Sequence, residues 1–307
     1  MTKVFGHKSP DTDATCSAII WSWYLNEHTS RDAQPFVLGE LNTETQFVLN
    51  HWGVEIPELL TELSESDEVV VVDTNNPQEL PENINNAQIV QIIDHHKLVG
   101  GLQTEKPVDI TMRPLACTAT VMHDLMGKGV ATALPREIAG LMLSCILSDT
   151  LEFRSPTTTP HDKEVAEKLA KELDVSISEY ASEMFAAKSD VSSFSDIGLI
   201  KMDSKKYDIG GTNFRVSVLE TTTPETILAR KEGLIEAIKE CIAEENDVDE
   251  VLLFIIDILK EEATVLTYND LTKQVIESSF GVTVESDTEV LPGIVSRKKQ
   301  ILPALKL

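Results

Sequence analysis

Short hydrophobic runs along this chain repeatedly end in clusters of polar, chemically capable residues. The first covers residues 3–5 and leads into Gly6-His7-Lys8-Ser9-Pro10-Asp11-Thr12-Asp13. Residues 14–26 then carry Ile19, Ile20, Trp23 and Leu25 at roughly helical spacing, which predicts a helix abutting the Asp-rich loop. The free N–H groups at such a helix start favour anions. A short strand over 35–38 and a helix over 43–52, ending at Gly53, come next. The run Val69-Val70-Val71-Val72 ends on Asp73, and the run over 88–93 ends on Asp94-His95-His96. Runs this apolar fit strands buried on both faces. In an open parallel sheet ligands gather beyond the carboxyl ends of the strands, so clusters distant in sequence can converge.

Helical spacing returns over 117–125 and 135–147, the second stretch running into Ser148-Asp149-Thr150. An amphipathic helix fits 159–173, with Pro160 near its start. Periodicity is then lost and serine accumulates, which places a linker at about 189–195 between domains spanning 1–188 and 196–307. Beyond it, residues 197–202 and 214–219 flank Gly210-Gly211 and read as antiparallel strands. A helix over 224–245, strands over 251–258 and 263–268, a short helix from Asp270 and the tail Ser296-Arg297-Lys298-Lys299-Gln300 complete the pattern.

A length of 307 residues favours two domains over one core, and an apolar fraction of 42% is ample to fill them. Twenty-six basic against 51 acidic residues give a net charge of −25, which opposes nucleic acid and anionic membrane as partners. An anionic substrate would need a local reversal of sign. Cys16, Cys117, Cys145 and Cys241 show no CxxC spacing and read as reduced core thiols of a cytoplasmic protein. The longest apolar runs, 141–147 and 251–256, are too short to span a bilayer, so a soluble, unprocessed protein is expected.

His28, His51, His123 and His161 read as ordinary solvated or hydrogen-bonded side chains. His7, Asp11, Asp13, Asp73, His95 and Asp149 differ, because each lies at or near the end of a predicted element. Carboxylates gathered this closely repel unless cations neutralise them, and four carboxylates with two imidazoles match two divalent ions. Mixed oxygen and imidazole donors without thiolate suit Mn²⁺ first, with Co²⁺ or Fe²⁺ as relatives in preference. Ser148 lacks a G-x-S-x-G context, and neither a P-loop nor a dinucleotide fingerprint is present. Arg297-Lys298-Lys299 would supply the positive charge an anionic substrate needs, since Arg can grip two phosphate oxygens at once. Lys205 and Lys206, taken alone, read as surface lysines.

Gly6-His7-x-x-Pro10-Asp11-x-Asp13-Ala14, Asp73, Asp94-His95-His96 and Ser148-Asp149-Thr150 together resemble, in that order, the DHH phosphoesterase superfamily. With Ser296-Arg297-Lys298-Lys299-Gln300, the chain resembles the manganese-dependent, family II inorganic pyrophosphatases over nearly its whole length. The resemblance implies two α/β domains, a parallel-sheet catalytic domain and a smaller mixed-sheet domain, with the active site in the cleft between them. It implies one metal held by His7, Asp11 and Asp73, and a second held by Asp13, Asp73, His95 and Asp149. His96 would contact substrate near the leaving phosphate, and Lys205, Arg297 and Lys298 would bind phosphate oxygens. The implied reaction is hydrolysis of pyrophosphate by a metal-bridging hydroxide, with two Mn²⁺ per subunit, Co²⁺ as a substitute and Mg²⁺ arriving with substrate. A homodimer through the N-terminal domain is implied as well. The chain departs from the family's common pattern at Thr74, where many members have histidine, and at Arg113-Pro114-Leu115, which lacks an acidic residue before the proline. The alternatives are an exopolyphosphatase or nucleotide phosphodiesterase of the same superfamily, or a non-catalytic metal-dependent module. Phosphodiesterase members generally carry a glycine-rich, histidine-containing C-terminal motif that this chain does not show.

Overall fold

Each apolar run that ends in a polar cluster forms a strand. The computed structural model describes residues 1–192 and 194–307, apart from the side chain of Lys298, and divides them into two units, Met1–Ala187 and Lys188–Leu307. Ser193, in the expected linker, and the Lys298 side chain, an expected phosphate contact, lie outside what is described.

The first unit contains strands β1 (Thr2–Phe5), β2 (Ala33–Val37), β3 (Glu58–Leu59), β4 (Glu68–Val72), β5 (Gln88–Asp94) and β6 (Asp109–Met112). Its helices are α1 (Thr12–His28), α2 (Thr43–Trp52), α3 (Thr118–Ala131), α4 (Arg136–Thr150), α5 (Pro160–Leu173) and α6 (Ile177–Lys188), the last ending one residue into the second unit. The six strands are all parallel and lie in the order β3-β2-β1-β4-β5-β6. Val69, Val70, Val71 and Val72 are all buried, as a strand covered on both faces requires. Phe5, Val69, Val71, Ile89 and Ile92 share one core with Leu80 and Ile84, while α1 packs on β1 and β4 and α3 packs on β5. Each Val or Ile so removed from water contributes about 1.5–3 kcal/mol before the entropy of ordering is counted.

Strand order reverses beside β1, and the crevice outside the carboxyl ends at such a reversal is the general ligand position of open α/β sheets. Phe5 lies opposite Val71, and Val72 opposite Ile93, so the loops leaving β1, β4 and β5 start side by side. A Cβ on Gly6 would come within 2.7 Å of the Ala14 Cβ, so only glycine lets α1 begin this close to the end of β1.

The second unit contains α7 (Asp196–Met202), β7 (Ser204–Ile209), β8 (Thr212–Thr221), α8 (Pro224–Leu228), α9 (Lys231–Glu244), β9 (Glu250–Asp257), β10 (Glu262–Leu266), α10 (Asp270–Phe280), β11 (Thr288–Pro292) and α11 (Leu302–Ala304). Its mixed sheet runs β11-β10-β9-β8-β7, with β8 and β9 parallel and the other pairs antiparallel. All of β9 is buried. Leu252, Phe254 and Ile256 join one core with Ile276 and Ile301, and Val251, Leu253 and Ile255 join another with Leu234 and Ile238.

Two expectations from the pattern are corrected. Residues 197–202 belong to α7, not to a strand: Ile197, Leu199 and Ile200 satisfy either period, and Ser195 decides for helix by accepting a hydrogen bond from the Gly198 N–H at 3.1 Å. The helix expected over 224–245 is two helices, broken where the Arg230 guanidinium is drawn to Asp196 and to the carbonyls of Val191 and Phe194. These bonds, with the one between the Ser189 and Thr222 hydroxyls, tie Ser189, Val191 and Phe194 into the second unit. Among the described residues no helix is long and apolar enough to cross a membrane. All four cysteines are free and buried.

Candidate metal centre

The loops leaving β1, β4 and β5 and the ends of α1 and α4 bring His7, Asp11, Asp13, Asp73, His95 and Asp149 together. Asp11 caps α1, with its Oδ1 accepting from the Ala14 N–H at 3.0 Å, which leaves Oδ2 facing His7 Nε2 at 3.6 Å. Asp73 is the first residue beyond β4 and adopts φ 59°, a left-handed conformation uncommon outside glycine and found where function justifies the strain. Its N–H is fixed by the Ile93 carbonyl at 2.9 Å. The two Asp73 oxygens then diverge, Oδ2 lying 3.5 Å from His7 Nε2 and Oδ1 lying 3.3 Å from His95 Nε2. His95 Nε2 is also 3.9 Å from Asp13 and 3.8 Å from Asp149. Donor atoms therefore gather as His7-Asp11-Asp73 and as Asp13-His95-Asp149, each set within 4.8 Å, and Asp73 reaches both.

Burial and mutual repulsion work against four charges here. Burial first, then the neighbouring charges of Asp13, Asp73 and Asp11, push the Asp149 carboxyl well above the ordinary range, and burial with Asp73 raises Asp13. Asp73 goes the other way: burial opposes its charge, but hydrogen bonds from His7 and His95 outweigh burial and hold the carboxyl low. In return, although burial is the largest single influence and disfavours charge, Asp11 and Asp73 push His7 up to about 10, and Asp73 and Asp13 push His95 up to about 9. Without a cation the centre thus holds itself together by keeping protons.

That proton inventory has a sign. Both imidazoles are raised above their ordinary 6.5, so what they add to the metal-free fold is complete below pH 6.5 and is lost as pH rises through about 9 and about 10. A metal can bind only the deprotonated nitrogens. Adding Mn²⁺ to chelator-treated protein at pH 7.5 in weak buffer should therefore release about two protons per chain from the imidazoles, with any proton still held by Asp149 in addition, read with an indicator dye. No release would remove the imidazoles from the ligand set.

The donors fit divalent ions in their supports as well as their identities. The proton of His95 Nδ1 points to the Leu115 carbonyl at 3.1 Å, which orients Nε2 as the ligand atom, the arrangement usual for metal-binding histidine. Asp13 is anchored by the start of α3: Oδ2 accepts from the Thr118 N–H at 2.7 Å, and Oδ1 accepts from the Cys117 thiol at 3.2 Å and the Ala119 N–H at 3.3 Å. Ser17 adds a fourth donor at 3.0 Å. The Thr118 hydroxyl donates to Asp73 Oδ1 at 2.9 Å, so one residue steadies two carboxylates. Sequence reasoning gave Thr118 no role and read Cys117 only as a core thiol; the one signal either carries toward the centre is its position at a helix start.

His96 stands at the rim, half exposed, with Nδ1 2.9 Å from Asp94 and 3.8 Å from Asp73. Asp94 first, opposed by burial, raises its pKa. Asp94 is itself held by the Asn75 amide at 2.6 Å, and Thr74, the family departure, donates to Glu79 at 2.7 Å. In the second unit, Lys205 is exposed on β7, and Arg297 donates to the Asp203 carbonyl at 2.8 Å and to its Oδ1 at 2.7 Å.

Residues 2–146 match the DHH family, N-terminal domain, and residues 182–307 match the DHHA2 domain. A Bacillus velezensis protein named "Probable manganese-dependent inorganic pyrophosphatase" is 38% identical, covering 98% of this chain and 96% of its own length. A Lactobacillus gasseri protein of the same name is 37% identical with the same coverage. A crystal structure of a Methanococcus jannaschii "putative family II inorganic pyrophosphatase" is 36% identical and aligns with a TM-score of 0.63 over 99% of this chain and 98% of that one. An exopolyphosphatase-related protein from Bacteroides fragilis, 11% identical with a TM-score of 0.51, shares the fold.

Proposed function

The chain belongs to the manganese-dependent, family II inorganic pyrophosphatases, and from that membership we propose that it hydrolyses pyrophosphate to two orthophosphates at the centre built around Asp73. The observation that carries the reading is the division of one carboxylate between two ligand sets. His7, Asp11 and Asp73 would hold one divalent ion, and Asp13, Asp73, His95 and Asp149 the other. Mn²⁺ is the metal in the relatives' names; Co²⁺ would substitute, and Mg²⁺ would accompany the substrate. Such ions, once bound, would supply positive charge toward phosphate oxygens and make nearby water more acidic.

The protein's own groups complete the chemistry. Asp94 occupies Nδ1 of His96 and favours its protonated form, which leaves Nε2–H as the group that would donate to the leaving phosphate. Lys205, Arg297 and Lys298 would grip phosphate oxygens. Lys205 suits this better than its neighbour. Lys206 pairs in register with Arg215 and is committed to Asp247 at 2.6 Å and Glu245 at 2.8 Å, whereas Lys205 pairs with Val216, on the face whose core includes Ile301 of the tail.

Phosphate release from pyrophosphate, tripolyphosphate and a dinucleotide, with Mn²⁺ and after chelation, tests the reading. Release from pyrophosphate should vanish on chelation and return with Mn²⁺. Release only from tripolyphosphate or the dinucleotide would replace the reading by an exopolyphosphatase or a phosphodiesterase. A cytoplasmic homodimer through the first unit goes with this function. The outer edge of β6, where Ile110 is 53% exposed, supports such a contact, and light scattering at the mass of one chain would remove it.

A further inference from the structure

Glu44 lies in the first turn of α2 and is completely buried, although neither the ligand sets nor the substrate contacts use it. Its Oε1 accepts from two hydroxyls, Thr12 Oγ1 at 2.7 Å and Ser148 Oγ. Those hydroxyls come from different helices. Thr12 opens α1 and sits between Asp11 and Asp13, while Ser148 lies in the last turn of α4 and precedes Asp149. Thr12 Oγ1 is also 3.2 Å from Thr45 Oγ1, so the start of α2 holds the start of α1 at two points. The three helices pack on one another.

A buried carboxyl group is unfavourable unless its oxygens are hydrogen-bonded, and an apolar side chain would fill the space at lower cost. What the carboxyl group adds is direction. The N-terminal end of α2 offers it partial positive charge, and one oxygen joins two ligand-bearing segments that are distant in sequence. We infer that Glu44 is a positioning residue for the metal centre: it clamps the start of α1 to the end of α4 and so sets the spacing of Asp11 and Asp13 against Asp149. The inference rests on the metal-site reading above.

Calorimetric titration of chelator-treated protein with Mn²⁺, beside thermal melting of the metal-free protein, tests it. Glu44→Gln keeps an oxygen able to accept both hydroxyls and should stay within about threefold of the wild-type affinity, while Glu44→Leu should lose about 10- to 100-fold. A purely structural role would lower the melting temperature of metal-free Glu44→Leu and leave its Mn²⁺ affinity unchanged. Should that variant fail to fold, Thr12→Val and Ser148→Ala each remove one hydroxyl with Glu44 in place, and each should weaken Mn²⁺ binding by about 10-fold. Wild-type affinity in the folded variants overturns the inference, as does a Glu44→Gln protein as weak as Glu44→Leu, which would assign the effect to charge. Wild-type protein that binds no Mn²⁺ would instead bring down the metal-site reading itself, and the clamp with it.

Discussion

Replacing Asp73 with alanine should lower pyrophosphate turnover by at least about 10³-fold and leave less Mn²⁺ on the protein after gel filtration. Its two oxygens face different imidazoles, at 3.5 and 3.3 Å, so a single truncation takes a donor from both ligand sets. Loss of His7 or Asp149 would touch only one. Alanine is also a poor occupant of the φ 59° backbone, where an L side chain costs about 1–2 kcal/mol. Asparagine tolerates that conformation and keeps one oxygen, so Asp73→Asn should fall between the wild type and alanine. Phosphate release and metal content by mass spectrometry measure both effects. Metal-depleted Asp73→Ala with wild-type turnover would end the two-set account.

Gly140→Ala should destabilise the first unit by about 3 kcal/mol, at the upper end of overpacking effects, and lower Tm by about 6–12 °C. A Cβ on Gly140 would sit 2.1 Å from Cδ2 of the Trp52 indole and 2.4 Å from Cε2 and Cε3. The ring cannot swing aside freely, because its Nε1–H donates to the Tyr180 hydroxyl at 2.7 Å and to Ser144 Oγ at 3.1 Å. The substitution would thus push α2 away from α4. Thermal melting followed by tryptophan emission reads the result, and Trp52→Leu in the same chain should recover part of the loss, because the clash partner is gone. An unchanged Tm would show that the contact relaxes without cost.

Both effects act on features of unequal visibility in the sequence. The proposed ligands were legible as candidates because chemistry and periodicity coincide at them: Val69 to Val72 are buried along one strand, and the next residue is Asp73. The ends of β1 and β5 carry the same signature. Residues that support the ligands left no such trace. Glu44, Thr118 and Gly140 meet partners more than thirty positions away, and nothing local distinguishes a buried, hydroxyl-bonded carboxylate from an exposed one on a first helical turn. The strand misread over 197–202 has a related cause, since Ile197, Leu199 and Ile200 fit both periods and only the Ser195 cap resolves them. The short edges β3 and β6 were also missed, because exposed residues on a two- or four-residue strand give almost no alternation to read.

The strand order of the first unit also governs when during synthesis the centre can come into being. β1 is the first strand made, yet it is flanked by β2 and β4, and the donor sets draw on residue 7 at one extreme and residue 149 at the other. A growing chain that has emerged as far as β5 already carries His7, Asp11, Asp13, Asp73 and His95, but neither α4 nor the Asp149 it presents. Until that helix clears the ribosome, the nascent chain carries the His7-Asp11-Asp73 set whole and the set that Asp149 completes only in part. Filling of the proposed second position would therefore be a late, long-range event in the birth of this protein, timed by the slow closure of parallel strands rather than by any local hairpin.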